Sequence, residues 1–141
     1  MTGRPENIGL DENYRVKIFD FGMAKELKEK ASIGVDQFNA TGKTGTPRYM
    51  SPEVYLGEPY GLPADVYSFS LVLWEIMALE KIFPNNDGQE NHVVNVYVKK
   101  KRPKICRSWP KKIQALIRDG WSHSPSLRPK MQKVHRILEN V

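Results

Sequence analysis

The carboxylate of Asp20 is the side chain whose position in this sequence most directly indicates chemistry. It follows an alternating apolar run that begins at Val16, and Gly22 comes two residues after it. An acid at the end of a strand, next to a flexible glycine, is suited to hold a metal ion in a cleft. Asn7 supplies an amide oxygen upstream of the same run. Carboxylate and amide oxygens are both ligands suited to a hard cation such as magnesium.

Two short strands are predicted to bring these side chains together. The first covers Asn7 to Leu10 and the second covers Arg15 to Phe19, with the polar residues Asp11, Glu12 and Asn13 between them. Such a pattern is typical of a hairpin, which would place Asn7 and Asp20 at the ends of adjacent strands. Taken alone, Asn7 is equally explained by ordinary turn chemistry.

A second segment, from Gly45 to Glu53, is punctuated by glycine and proline and delivers a carboxylate to the next helical segment. The polar stretch before it contains hydroxyl side chains that could be modified, namely Ser32, Thr41 and Thr44. We expect little regular structure from Met23 to Arg48, apart from a possible helical turn near Ala24 to Lys30.

Four motifs in this order resemble the C-terminal lobe of a protein kinase of the serine/threonine type. They are Arg4-Pro5-Glu6-Asn7, Asp20-Phe21-Gly22, Ser51-Pro52-Glu53 and Asp65-Val66-Tyr67-Ser68-Phe69. Gly120-Trp121 with Pro125, Arg128 and Pro129 is similar to the tyrosine-kinase-like group. The resemblance implies a partial kinase domain over residues 1–141. Its parts would be the end of the catalytic loop at 4–7, an activation segment at 20–53 and a helical subdomain at 62–141.

The resemblance also implies a fold and a set of site residues. The fold would be mainly α, a helical bundle around a buried central helix with a short N-terminal β-hairpin and without the N-lobe. Asn7 and Asp20 would hold Mg²⁺ and, through it, ATP. Arg4 stands where a phosphate-contacting lysine is usual, and the hydroxyl of Thr46 would bond to the catalytic machinery and argue against tyrosine specificity. Thr41 and Thr44, and less so Ser32, are candidate phosphorylation sites, the alternative being an unmodified loop.

The helix predicted from Pro63 to Leu79 is apolar nearly all round, so it should be the buried scaffold of the domain. Asp65 in its first turn would be a carboxylate near the core that needs hydrogen bonds. The resemblance implies that Asp65 holds the catalytic-loop backbone and that Arg128 pairs with Glu53. The alternatives are a plain first-turn acid for Asp65 and a solvated surface residue for Arg128.

Three further helices are predicted towards the C-terminus. One runs from Glu90 to about Lys100, one runs to Arg118 after a cap at Ser108, and a last one starts at Pro129 with Met131, Val134, Leu138 and Val141 at helical spacing. The histidines His92, His123 and His135 lack the spacing of metal ligands, so we expect structural or exposed roles for them.

Several parts of a complete kinase are absent from this sequence. It contains no glycine-rich loop, no strand lysine with a partner glutamate and no His-Arg-Asp triplet. The resemblance places the catalytic base at Thr2 and a phosphate-binding arginine at Met1, and neither residue is of the required type. We therefore expect a fragment or truncated gene model that does not catalyse transfer by itself. The rival hypothesis is a non-catalytic, pseudokinase-like module that binds a protein partner.

Composition sets broader limits. At 141 residues with one cysteine, Cys106, the chain fits one domain in a reducing compartment, in the cytoplasm or the nucleus. No apolar run or leader indicates a membrane or secretion. The net charge of +6 and the basic run from Lys99 to Lys104 suggest nucleic-acid binding or nuclear import as alternatives. Because this run lacks interleaved aromatics, we expect solvated residues at a helix end there, with ATP and a protein substrate as the partners.

Overall fold

The described part of the chain is mainly helical, with two small antiparallel hairpins. The computed structural model describes residues 4–22, 24, 26, 32–34, 37–38, 47–84 and 92–141. The strands are β1 (Ile8–Leu10), β2 (Val16–Ile18), β3 (Ser32–Gly34) and β4 (Gln37–Phe38), and the α-helices are α1 (Pro52–Leu56), α2 (Pro63–Ala78), α3 (Lys111–Gly120) and α4 (Met131–Leu138). Short 3₁₀ turns lie at Pro5–Asn7, Pro47–Tyr49 and Pro125–Leu127, and a π-helical turn lies at Val94–Val98. The predicted fold class, helices around a central helix with an N-terminal hairpin, is confirmed.

The N-terminal hairpin forms as predicted. Strands β1 and β2 pair antiparallel with Ile8 opposite Ile18. The carboxylate of Asp11 closes the turn, since its Oδ1 accepts hydrogen bonds from the backbone N–H groups of Asn13 and Arg15, each at 2.9 Å. The bond from Arg15 is the main reason that the pKa of Asp11 lies below its ordinary value. The polar turn thus sets the register of the strands.

Helix α2 is the scaffold of the helical part, as its apolar sequence predicted. Pro63 occupies its first turn, where a missing N–H costs nothing. The helix ends at Ala78, one residue earlier than predicted, and Leu79 follows in a left-handed conformation. Most of its central residues are buried, including Val66, Tyr67, Ser68, Ser70, Leu71, Val72, Leu73 and Trp74. Ile76 near the end is exposed, so burial stops one turn before the helix does.

Helix α3 packs against α2 at a close contact between Gly120 and Ser70. A side-chain carbon added to Gly120 would overlap the hydroxyl oxygen of Ser70, so only glycine allows this approach. Ile113, Leu116 and Ile117 on the same helix are buried in the core formed with α2. Helix α4 contributes Val134 to that core.

A buried ion pair connects helix α1 with the segment before α4. The guanidinium of Arg128 donates from Nη1 to Oε1 of Glu53 at 2.6 Å and from Nη2 to Oε2 at 2.8 Å. Both side chains are almost entirely excluded from solvent. Arg128 also donates to the carbonyl oxygens of Pro63 and Ser122, at 3.0 and 2.9 Å. The contact expected between Glu53 and Arg128 is therefore present, and it is not a surface contact.

The stretch from Met23 to Arg48, where we expected little regular structure, contains two short strands. Strands β3 and β4 pair antiparallel, with Ser32 opposite Phe38. The types of Ile33 and Phe38 favour strands, a signal that the polar composition masked. The helical turn predicted from Ala24 to Lys30 falls mostly outside the described residues.

The C-terminal helices start later than predicted. Helix α3 begins at Lys111 after Pro110, and the hydroxyl of Ser108 lies 3.0 Å from the sulfur of Cys106 instead of capping a helix. Helix α4 begins at Met131, because Arg128 and Lys130 on either side of Pro129 have extended backbones.

The other departures concern helix ends. The helix predicted from Glu90 is π-helical over Val94–Val98, closed by a bond from Lys99 N to the Val94 oxygen at 2.8 Å. Of the four apolar residues predicted at helical spacing, Val134 is buried and Leu138 is partly buried, whereas Met131 and Val141 are exposed. No helix within the described ranges is both long and apolar enough to cross a lipid bilayer.

The buried ion pair gives a stability prediction. Replacing Arg128 with alanine would leave the Glu53 carboxylate buried without its partner, so we expect the free energy of unfolding to fall by about 3–5 kcal/mol. Urea denaturation measures this change. The matched control is Arg136→Ala, which removes an exposed arginine from α4 and should alter the free energy by less than about 0.5 kcal/mol. Equal effects of the two substitutions would contradict the structural importance of the pair.

The close contact of α3 with α2 gives a second stability prediction. Gly120→Ala should lower the free energy of unfolding by about 1–3 kcal/mol, because the added methyl group has no room beside Ser70. In a chain that already carries Ser70→Ala, the same glycine substitution should cost less, since the overlapping oxygen is gone. Chemical denaturation of the wild type, the two single variants and the double variant gives this coupling. Strictly additive effects would show that the two residues do not constrain each other.

Candidate functional site

The hairpin places Asn7 and Asp20 near each other, at the end of the two strands that lies away from the turn. Asn7 ends the 3₁₀ turn that leads directly into β1. Its carbonyl oxygen accepts a hydrogen bond from the N–H of Phe19 at 2.8 Å, so the residue before Asp20 is held opposite Asn7. The ring of Phe19 lies so close to Gly9 that any side chain there would overlap it. Strand pairing, rather than a distant tertiary contact, brings the two oxygen donors together.

The guanidinium of Arg4 contacts both of these side chains. Its Nε donates to Oδ1 of Asn7 at 3.1 Å, and its Nη2 lies 3.6 Å from Oδ2 of Asp20. Asn7 is buried, with 8% of its surface exposed, whereas the side chains of Arg4 and Asp20 are 34% and 49% exposed. The sequence motif assigned Arg4 a contact with phosphate, and the structure adds a contact with both expected metal ligands.

Local backbone geometry fixes the direction of Asp20. Its φ angle is +58°, in the left-handed region that aspartate tolerates better than most residues. Its Oδ1 accepts a bond from the N–H of Gly22 at 3.3 Å, while Oδ2 is the oxygen nearer Arg4. The carboxylate is therefore held by its own turn on one side and by a cation on the other.

The donor set fits magnesium in chemical type. An amide oxygen and a carboxylate oxygen are both hard ligands, and the guanidinium of Arg4 contacts both of them. Among the residues that the structure describes, no group of three or more His, Cys, Asp or Glu side chains could hold a metal by itself. Asn7 and Asp20 would thus need further oxygen ligands, which water molecules or nucleotide phosphates supply.

The loop at Pro47–Tyr49 is held from the interior by Tyr49. The Tyr49 hydroxyl lies 3.0 and 3.1 Å from the two carboxylate oxygens of Glu75 on α2. Oε1 of Glu75 also accepts a bond from the N–H of Ile82 at 2.7 Å. Burial, followed by the Glu75 charge, raises the pKa of Tyr49 well above its usual range. Tyr49 and Met50 are buried, so they shape this loop from the inside.

Tyr97 is a further anchor of the same loop, and the sequence analysis did not identify it. Its hydroxyl lies 2.6 Å from the carbonyl oxygen of Pro47 and 3.1 Å from that of Met50. Its ring stacks on Tyr55 of α1 with ring centres 4.5 Å apart. Burial raises the pKa of Tyr97, so it remains a neutral donor. No sequence signal marks Tyr97, whereas the lone acid Glu75 in an apolar helix could have indicated a buried partner.

The remaining expected site residues differ in what the structure shows of them. Asp65 is half-buried in the first turn of α2, and burial raises the pKa of its carboxyl group. The part of the catalytic loop before Arg4 lies outside the described residues, so the expected contact of Asp65 with that loop stays a prediction. Thr41, Thr44 and Thr46 also lie outside them, and Ser32 begins β3.

The basic run has one member that is not solvated. Arg102 donates to the carbonyl oxygens of Val96 and Trp121 at 3.0 and 3.1 Å, and its guanidinium lies 5.2 Å from the ring centre of Tyr67. The neighbouring lysines Lys99, Lys100, Lys101 and Lys104 are exposed. The expectation of solvated residues was therefore wrong for Arg102, which stabilises the π-helical segment.

Of the histidines, His92 contacts the rings of Phe83 and Tyr97, and His135 is exposed beside Glu139.

Comparison with known proteins gives the same assignment as the motifs. The family model described as protein tyrosine and serine/threonine kinase matches residues 4–138. The dual specificity protein kinases shkA and shkC of Dictyostelium discoideum are 36% and 37% identical to this chain, over 98% of its length. The probable serine/threonine-protein kinase drkC of the same organism is 35% identical over 96% of the chain.

These relatives are much longer proteins. The chain spans 26% of the length of shkA and of shkC and 18% of the length of drkC. The match nevertheless runs through both of the segments described above, from Arg4 beside the hairpin to the end of helix α4. By its sequence, the chain belongs to the protein tyrosine and serine/threonine kinase family.

Proposed function

We propose that this chain is part of a protein serine/threonine kinase whose reaction transfers the γ-phosphoryl group of ATP to a hydroxyl of a protein substrate. The observation that carries the proposal is the meeting of Asn7 and Asp20 at one guanidinium. Bound magnesium would neutralise phosphate charge at this position. The residues of this chain would hold the cation through the amide oxygen of Asn7 and the carboxylate of Asp20.

Arg4 and Thr46 are proposed to act next to that cation. Arg4 is close enough to Asp20 to reach phosphate oxygens bound there, and its planar fork suits a bidentate contact. Thr46 in Gly45-Thr46-Pro47 is the basis for proposing serine and threonine acceptors. Because relatives named dual specificity kinases are as similar as those named serine/threonine kinases, acceptor choice remains part of the proposal.

The activation segment over 20–53 supplies the proposed regulation. Thr41 and Thr44, with Ser32 as a third candidate, would accept phosphate, and the added charge could order the segment. The end of that segment is fixed by Tyr49, Tyr97 and the Glu53–Arg128 pair. A change in the conformation of the activation segment would therefore alter a substrate-facing loop whose end is anchored to the helical core.

A second function is favoured by a specific observation. Arg4 already satisfies the oxygens that a cation would use, and the position of the catalytic base falls on Thr2. Both features suit a non-catalytic, pseudokinase-like module that binds a protein partner. The two functions differ in whether the folded chain responds to Mg-ATP.

Thermal melts with and without Mg-ATP distinguish the two functions. Under the kinase proposal, Mg-ATP at ten times its dissociation constant should raise the melting temperature by about 3–5 °C, because the ligand binds only the folded chain. Asp20→Asn should abolish that increase by removing the carboxylate. The control Glu12→Gln removes an exposed acid from the same hairpin and should retain it. No increase in the wild-type chain would contradict the kinase proposal for these residues and favour the binding module.

A further inference from the structure

Arg4 contacts the two side chains of the candidate cation site directly, which is a different role from a contact with phosphate. Its Nε–H group donates a hydrogen bond to Oδ1 of Asn7, and its Nη2 forms an ion pair with the carboxylate of Asp20. These are the two oxygens that the proposed magnesium ion requires. A positive charge belonging to the protein is therefore already in contact with both ligands.

The backbone holds Arg4 in this position. The N–H of Asn7 donates to the carbonyl oxygen of Arg4 at 3.0 Å, closing the 3₁₀ turn over Pro5–Asn7. Pro5 fixes its own φ angle within that turn. Arg4 and Asn7 are thus neighbours through local structure, and the guanidinium needs only to span from Asn7 to Asp20.

The planar fork of arginine makes the double contact possible. Nε and Nη2 point in fixed directions, so one side chain can donate to an amide and pair with a carboxylate at the same time. A lysine ammonium keeps the charge but is a single point with no fixed fork. Arginine at this position therefore holds both oxygens in a way that lysine would not reproduce.

We propose that Arg4 competes with the divalent cation for Asn7 and Asp20, so that a metal ion binds only when the guanidinium leaves them. The inference rests on the proposed function, since it concerns the same cation site. Two effects act in one direction: the guanidinium occupies the ligand oxygens, and its charge repels a second cation at short distance. Arg4 is thereby an element of the chain that sets its metal affinity.

The test is a titration of the purified 141-residue chain with Mn²⁺, without nucleotide, followed by electron paramagnetic resonance of the free ion. Mn²⁺ prefers the same oxygen ligands as magnesium and is observed directly. Arg4→Ala should bind Mn²⁺ about tenfold more tightly than the wild type, because it loses both the blocking contact and the nearby charge. Arg4→Lys should bind with intermediate affinity, because it loses the fork and keeps the charge.

The matched control is Arg15→Ala, which removes one arginine from the far end of the same hairpin. The bonds shown for Arg15 at the turn involve its backbone, so the substitution preserves them. It changes the net charge by the same amount as Arg4→Ala and should leave Mn²⁺ affinity within about twofold of the wild type. Equal tightening by both alanine variants would overturn the inference, because the effect would then come from net charge alone.

Asp20→Asn separates failure of this inference from failure of the proposed function. If the wild type and Arg4→Ala bind Mn²⁺ equally and Asp20→Asn abolishes binding, the cation site stands and the competition by Arg4 is wrong. If none of the variants binds Mn²⁺, both the site and the competition are wrong. Circular dichroism checks folding, and if Arg4→Ala does not fold, Arg4→Lys decides: affinity equal to the wild type overturns the inference.

Discussion

The buried pair between Glu53 and Arg128 is the interaction on which the arrangement of the helical part depends. Charges removed from water are costly unless they are paired and their remaining hydrogen bonds are made. Here the guanidinium satisfies that condition through two bonds to Glu53 and further bonds to backbone oxygens of Pro63, Ser122 and His123. One side chain thus joins helix α1, the start of α2 and the turn before α4. Glu53 and Pro63 lie 75 and 65 positions before Arg128 in the sequence.

The aromatic residue beneath this pair extends its effect. Tyr67 of α2 is completely buried, and the guanidinium groups of Arg128 and Arg102 lie 5.0 and 5.2 Å from its ring centre. Favourable cation–π contact offsets part of the cost of two charges in the interior. Two of the positive charges in this basic chain are therefore structural. Because the charge of Arg128 is cancelled by that of Glu53, burial of this pair leaves the net charge at the surface unchanged.

The contrast between the two halves of the site follows from their burial. The loop at Pro47–Tyr49 is fixed to the core through Glu75, Tyr97 and Ser68, so its shape depends on the helical bundle. The hairpin that carries Asp20 has mostly exposed side chains and is held by strand pairing and the Asp11 turn. Segments with few buried contacts open at lower free energy than the core. The candidate cation site therefore lies on the more easily displaced element, and the loop at Pro47–Tyr49 lies on the rigid one.

Much of this arrangement could be predicted from sequence because it depends on local signals. The polar turn predicted the hairpin, and the apolar run after Pro63 predicted the central helix. The start of α3 could not be predicted from Ser108, because Gln114 donates to the carbonyl oxygens of Arg107 and Trp109 and fixes the approach to the helix from within. Arg102 and Tyr97 bond to backbone oxygens far along the chain, which no local pattern encodes. The same limit applies to Arg4: its motif position assigned it a partner that carries phosphate. Only the paired strands show that its guanidinium already contacts both Asn7 and Asp20. Under the proposed competition, the affinity for a metal ion depends on these three residues and not on the two ligands alone.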